Sequence, residues 1–125
     1  MKVYLSAQYG RQSEMCHYAN DLRAIGWDVV SSWIESEGNG PGDSGQARQD
    51  QIDMDESDSV IYFSGPPYVG TIGEQLRGSR HVEFGYCWGK GKGQIVIGEY
   101  ENLFQRMPHV VRFENWESFM NYVRL

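Results

Sequence analysis

Cysteine is scarce in this chain: Cys16 and Cys87 are the only two among 125 residues, and they form no C-x-x-C pair. Each falls within an expected helix, which reads as two buried thiols in a reducing cytosol. Histidine is as thin. His17, His81 and His109 are scattered, so no metal-ligand spacing forms and the sequence calls for neither a metal nor any other cofactor. Long apolar runs are missing too. Nothing approaches the ~20 residues of a membrane span, and the opening MKVYLSAQYG has too short an apolar run for a secretory signal. The expectation is a soluble, cytoplasmic protein. Basic charge is the last shortage. Eleven Lys and Arg stand against seventeen Asp and Glu, giving a net charge of −6 and a pI near 4.9. That argues against broad binding to a nucleic-acid polymer or an anionic membrane, both of which need a basic face. A small anionic ligand held by a few local groups remains compatible with it.

What is present is globular. Hydrophobic residues make up 40% and aromatics 14%, enough for one domain over residues 1–125 with one core. Val3 to Leu5 reads as a first strand. Met15, Tyr18, Ala19, Leu22 and Ile25 follow helical spacing up to Gly26. Trp27 to Val30 reads as a second strand, GNGPGDSG at 38–45 as a loop, and Gln46 to Ser57 as a polar helix. A third strand is expected over Val60 to Phe63, followed by a Gly/Pro loop over 64–79. A third helix then begins near His81 and ends at Gly89 or Gly91. Gln94 to Ile97 and Val110 to Phe113 complete the strands, and Trp116, Phe119, Met120 and Val123 give one face of a last helix. Strands alternating with helices predict an α/β fold, a five-stranded, mostly parallel sheet between two helical layers. Ligands in such folds bind beyond the carboxyl ends of the strands. Here that edge carries residues 6–11, 31–34, 64–80 and the stretch after Ile97.

Glu83, in HVEFGY, is expected at the head of the third helix and at this edge. It is either a surface glutamate complementing the helix dipole or an ionised nucleophile, with Gly85 leaving room for a close approach. His81 and Glu83 form an H-x-E pair, but the P-C-x-x-C that accompanies it in zinc deaminases is absent. GKGKG at 89–93 fails the phosphate-loop pattern and reads as a helix end carrying Lys90 and Lys92. Asp50 and Asp53 share a side of the acidic helix, and one of them can face the ligand edge. Arg11 and Ser13 near the first helix, with Ser79 and Arg80 beside Glu83, make either an anion site or an ordinary solvated surface.

Four blocks in order, VYLSAQYGR, GWDVVSSWI, ARQDQIDMDESDSVIYF and GSRHVEFGYCWGKGKGQIVIG, together with the tail ENLFQRMPHVVRFENWESF, resemble the nucleoside 2-deoxyribosyltransferase family, in its short bacterial and phage branch. The resemblance implies a flavodoxin-like, Rossmann-like fold and cleavage or transfer at the N-glycosidic bond of a nucleoside or its 5′-monophosphate. It matches Glu83 to the family's nucleophile, Asp50 to the aspartate that assists protonation of the base, and Tyr4, Ser6 and Gln8 to residues around the sugar. It also implies a homo-oligomer, with the tail 121–125 near a neighbour's site. One position departs. Transferases carry an aspartate six residues before the nucleophile and phosphate-recognising hydrolases a serine, whereas this chain has Arg77. Ser79 and Arg80 can take over that contact, and a 5′-phosphate would suit Arg11, Arg77 and Arg80. Tyr4, Trp33 or Tyr68 can stack on a base. Two other classes stay open: a nucleotide-binding sensor or sequestering module without turnover, and a partner-binding protein using Trp88, Trp116 and Phe119.

Overall fold

The computed structural model describes residues 1–36, 44–65 and 78–125. Five strands, β1 (Lys2–Ser6), β2 (Asp28–Val29), β3 (Ser59–Phe63), β4 (Gly93–Ile97) and β5 (Val111–Phe113), form one sheet in the order β2-β1-β3-β4-β5, with every neighbouring pair parallel. Among the described residues four α-helices accompany them: α1 (Gln12–Ala24), α2 (Ser44–Glu56), α3 (Ser79–Gly89) and α4 (Trp116–Val123). This is the flavodoxin-like order of an α/β fold, with its switch point between β1 and β3. The sequence-based boundaries are shifted by a few residues. The second strand shortens to two residues, α2 takes in Ser44 and Gly45 from the expected loop, and α3 starts at Ser79 rather than near His81.

Strand alternation sorts the central side chains onto two faces. Tyr4 and Ser6 pair in register with Val60 and Tyr62, which pair in turn with Gln94 and Val96. This face meets α3, where Phe84 packs edge-on against Tyr62 at 5.6 Å and Gln94 Nε2 donates to the Phe84 carbonyl at 2.7 Å. The opposite face carries Val3, Leu5, Ile61 and Phe63. Tyr18 of α1 stacks on Phe63 at 5.5 Å, and Trp116 of α4 lies 5.8 Å from the same ring. The central strands are buried on both faces, which explains their near-continuous apolar runs.

The GKGKG run ends α3 as expected. Gly91 takes φ +73°, Lys92 N–H donates to the Cys87 carbonyl and Gly91 N–H to that of Trp88. The two cysteines are free thiols; Cys87 is buried, but Cys16 is only partly so. Phe119 is a core residue at 1% exposure and Trp116 is stacked on Tyr18 at 4.3 Å, so of the three suggested interface aromatics only Trp88 is exposed.

Gly98 closes β4 with φ +110°, and a Cβ there would lie 2.8 Å from Ser64 Cβ. Both the backbone and the space reject a side chain. Gly98→Ala is expected to destabilise the fold by roughly 1–3 kcal/mol, read from the urea midpoint. An unchanged midpoint would show that the β3 and β4 ends part without cost.

Candidate active site

Tyr4 is fully buried in β1, and a buried phenol needs a partner for its hydroxyl. That partner is Glu83. Tyr4 Oη donates to Glu83 Oε2 at 2.5 Å, and Ser6 Oγ, two residues further along the same face of β1, donates to Glu83 Oε1 at 2.7 Å. Both carboxylate oxygens are therefore held by rigid groups at the carboxyl end of a central strand. The inward side of α3 brings Glu83 there.

Because α3 begins at Ser79, Glu83 sits in its second turn, where the dipole of the helix start has largely faded. The expectation that the dipole keeps Glu83 ionised is corrected. Burial pushes its pKa up to about 7, against the hydrogen bonds from Tyr4 and Ser6; the charge of Asp50 adds to the rise and that of Arg80 opposes it. Tyr4 is itself raised well above its usual value, by burial and then by Glu83. Gly85 does not open access to Glu83. It lies two residues on, roughly 200° around the helix, and it is exposed.

Asp50 is the second carboxyl of the site. It is partly buried on α2, accepts from Gln46 Nε2 at 2.7 Å, and is raised to about 6 by burial, with Asp53 adding to the rise. α2 packs against β1 and α3, and the charge of Asp50 bears on both Tyr4 and Glu83. Asp53 is structural. Its Oδ2 accepts from Ser32 N at 2.9 Å and Ser32 Oγ at 2.7 Å, tying α2 to the 3-10 turn Ser32–Glu35.

The remaining expected contacts divide. Gln8 is partly buried and its side chain borders Gly65, on the ligand edge. Arg11 reaches the end of β3 and donates from Nη1 to the Ser64 carbonyl at 2.9 Å, but its Nε and Nη2 are taken by Glu14 at 2.8 and 2.7 Å. Glu14 is held in addition by Tyr18 Oη at 2.8 Å. Arg80 is no solvated arginine. It is buried, donates to the Phe63 carbonyl at 2.9 Å and to Glu101 Oε1 at 2.6 Å, and lies over the Tyr62 ring at 5.1 Å. Trp33 is a core residue at 5% exposure with Nε1 donating to the Leu5 carbonyl at 2.7 Å, which removes it as a stacking platform. Ser79 opens α3 and is exposed. Tyr68 and Arg77 lie outside the described residues.

The sequence reading did not single out Glu101, although it marked the stretch after Ile97 as ligand edge. Glu101 accepts from both Arg80 and Tyr62 Oη, each at 2.6 Å. His81 points into the same cluster: its Nδ1 lies 2.9 Å from Asn102 Nδ2 and 3.4 Å from Tyr62 Oη. Among the described residues no group of three or more His, Cys, Asp or Glu is placed to hold a metal, and no helix is long and apolar enough to cross a membrane.

No protein-family model matches the chain, and no curated protein matches it. Its fold is similar to a solved structure, that of the Clostridium botulinum CMP N-glycosidase BcmB. The TM-score is 0.66 and the identity 20%, over 99% of this chain and 98% of that one.

Proposed function

We propose that this protein is an enzyme that cleaves the N-glycosidic bond of a nucleoside or its 5′-monophosphate, by hydrolysis or by transfer of the sugar to a second base. One observation carries the reading: a carboxyl group gripped through both oxygens by Tyr4 and Ser6, with a second raised carboxyl, Asp50, acting on it at the same sheet edge. The fold shared with a CMP N-glycosidase supports it.

In this mechanism ionised Glu83 attacks the anomeric carbon. A bond forms from a Glu83 oxygen to that carbon as the carbon–nitrogen bond breaks, and the electron pair leaves with the base. The transition state has oxocarbenium character, which the carboxylate stabilises. Asp50, protonated, gives its proton to the departing base. Water or a second base then attacks the same carbon, Glu83 leaves as carboxylate, and Asp50 recovers a proton. Tyr4 and Ser6 hold Glu83 in place and stabilise its charge without moving, since both belong to a buried strand.

The test is release of free base from a panel of nucleosides and their 5′-monophosphates, with and without an added acceptor base. The active form has Glu83 ionised and Asp50 protonated, and the two carboxyls titrate near 7 and 6. The kcat/KM profile is therefore expected to be bell-shaped and narrow, with its maximum between those values and the pair titrating as a unit. A folded protein that binds a nucleotide but releases no base from any panel member would make it a binding module instead.

A further inference from the structure

The geometry points to Glu101 as a positioning residue for Glu83: it holds the Arg80 guanidinium away from the nucleophile and cancels its charge. The role rests on the reading of Glu83 as nucleophile, but the contacts that suggest it do not.

Arg80 precedes Glu83 by three residues, so the two share a side of α3. A buried guanidinium one turn from a carboxylate would ordinarily pair with it. Here it does not, since Glu83 is occupied by Tyr4 and Ser6 and Arg80 is drawn toward the end of β3 and the stretch that follows β4. Three groups hold it there: the Phe63 carbonyl, the Tyr62 ring face and Glu101. Arg80 Nε has no hydrogen-bond partner among the described residues, so the arrangement does not satisfy every donor.

Glu101 is itself built in. Its backbone N–H donates to Gln105 Oε1 at 2.7 Å, and Gln105 is fully buried. Gln105 N–H in turn donates to Asn102 Oδ1 at 3.0 Å, the cap of the 3-10 turn Leu103–Arg106. That assembly sets the carboxylate on Arg80 and Tyr62 together. A largely desolvated ion pair of this kind contributes little net stability compared with apolar packing. Its placement has a chemical use instead. Without Glu101, the nearest outlet for the Arg80 charge on its own helix is Glu83, and a glutamate clamped by a guanidinium is a poor nucleophile, with its lone pairs engaged and its proton affinity lowered.

The groups acting on Glu83 are Tyr4 and Ser6 from β1, Asp50 from α2, and Arg80 and Cys87 from α3, with Glu101 acting through Arg80. The test is a direct titration of the Glu83 carboxyl by carbon NMR on protein labelled at the glutamate carboxyls, with the signal assigned by its loss in Glu83→Gln. Glu101→Gln is expected to lower the Glu83 midpoint by at least about one pH unit. In the double variant Glu101→Gln/Arg80→Met that drop disappears, leaving the midpoint of Arg80→Met alone. An unchanged or raised midpoint in Glu101→Gln overturns the proposal. So does a drop that persists without Arg80, because Glu101 would then act directly. Should Arg80→Met fail to fold, Glu101→Asp decides. It keeps the charge but falls one methylene short of Arg80, so a lowered midpoint supports the role and an unshifted one rejects it. The titration needs no substrate. A protein that shows these shifts but releases no base would sink the glycosidase reading and leave the Glu101–Arg80 relation standing.

Discussion

Glu83→Gln is expected to lower kcat/KM for base release on the order of 10⁴-fold while making the protein more stable above pH 7. The first effect follows from removing the proposed nucleophile while keeping its shape. The second follows from burial. The folded carboxyl titrates near 7 against an ordinary 4.5, so the native state binds this proton more tightly than the unfolded chain does. Its stabilising contribution is complete below about 4.5 and is lost as the pH rises through 7. A neutral amide escapes that loss. The gain expected at pH 8 is roughly 1–3 kcal/mol, with little difference at pH 4.5. Urea unfolding of both proteins at the two pH values measures it. A variant destabilised equally at both would show that Tyr4 and Ser6 need the carboxylate more than burial opposes it.

Asp50→Asn is expected to lower kcat/KM by roughly 10²–10³-fold for natural substrates, within the range of a general acid. The loss should be small for a nitrophenyl glycoside whose leaving group needs no proton. The alkaline limb of the pH profile, which comes from loss of the Asp50 proton, should also vanish, leaving activity that rises as Glu83 ionises and then levels. Equal losses on both substrates would reassign Asp50 to holding the sugar. The contrast matters because Asp50 and Glu83 are both raised carboxyls in one site, and only the leaving group separates an acid from a nucleophile.

The architecture was legible because the central strands are buried on both faces. Runs such as VIYF cannot be amphipathic helix, and the first and last helices carry clear apolar spacing, whereas the polar α2 was read mainly from its place between a loop and a strand. The start of α3 was misplaced for a physical reason. Arg77-Gly78-Ser79-Arg80 has the composition of a loop, and the partners that make a buried arginine possible there are distant in sequence, with Glu101 twenty-one residues beyond Arg80 and Phe63 and Tyr62 before it. Glu83 and Asp50 could be picked out from resemblance and from the edge they occupy. The protonation of Glu83 could not, because a helix start is visible in sequence whereas burial against Tyr4 is a tertiary fact. Trp33 illustrates the same limit. An aromatic on the ligand edge looks like a platform until its indole N–H is seen on the Leu5 carbonyl, inside the core.

The two hydroxyls that grip Glu83 stand two residues apart on β1, so the repeat of a strand acts as a ruler laid across one carboxylate. A slip of β1 by a single residue would replace Tyr4 and Ser6 by Val3 and Leu5, or by Leu5 and Ala7, and leave Glu83 facing a dry wall. Misregistered protein would keep its composition, its size and much of its helix content, yet present no charged nucleophile. Turnover by this protein would therefore double as a gauge of correct strand pairing, and the active fraction of a preparation would count the molecules that folded in register.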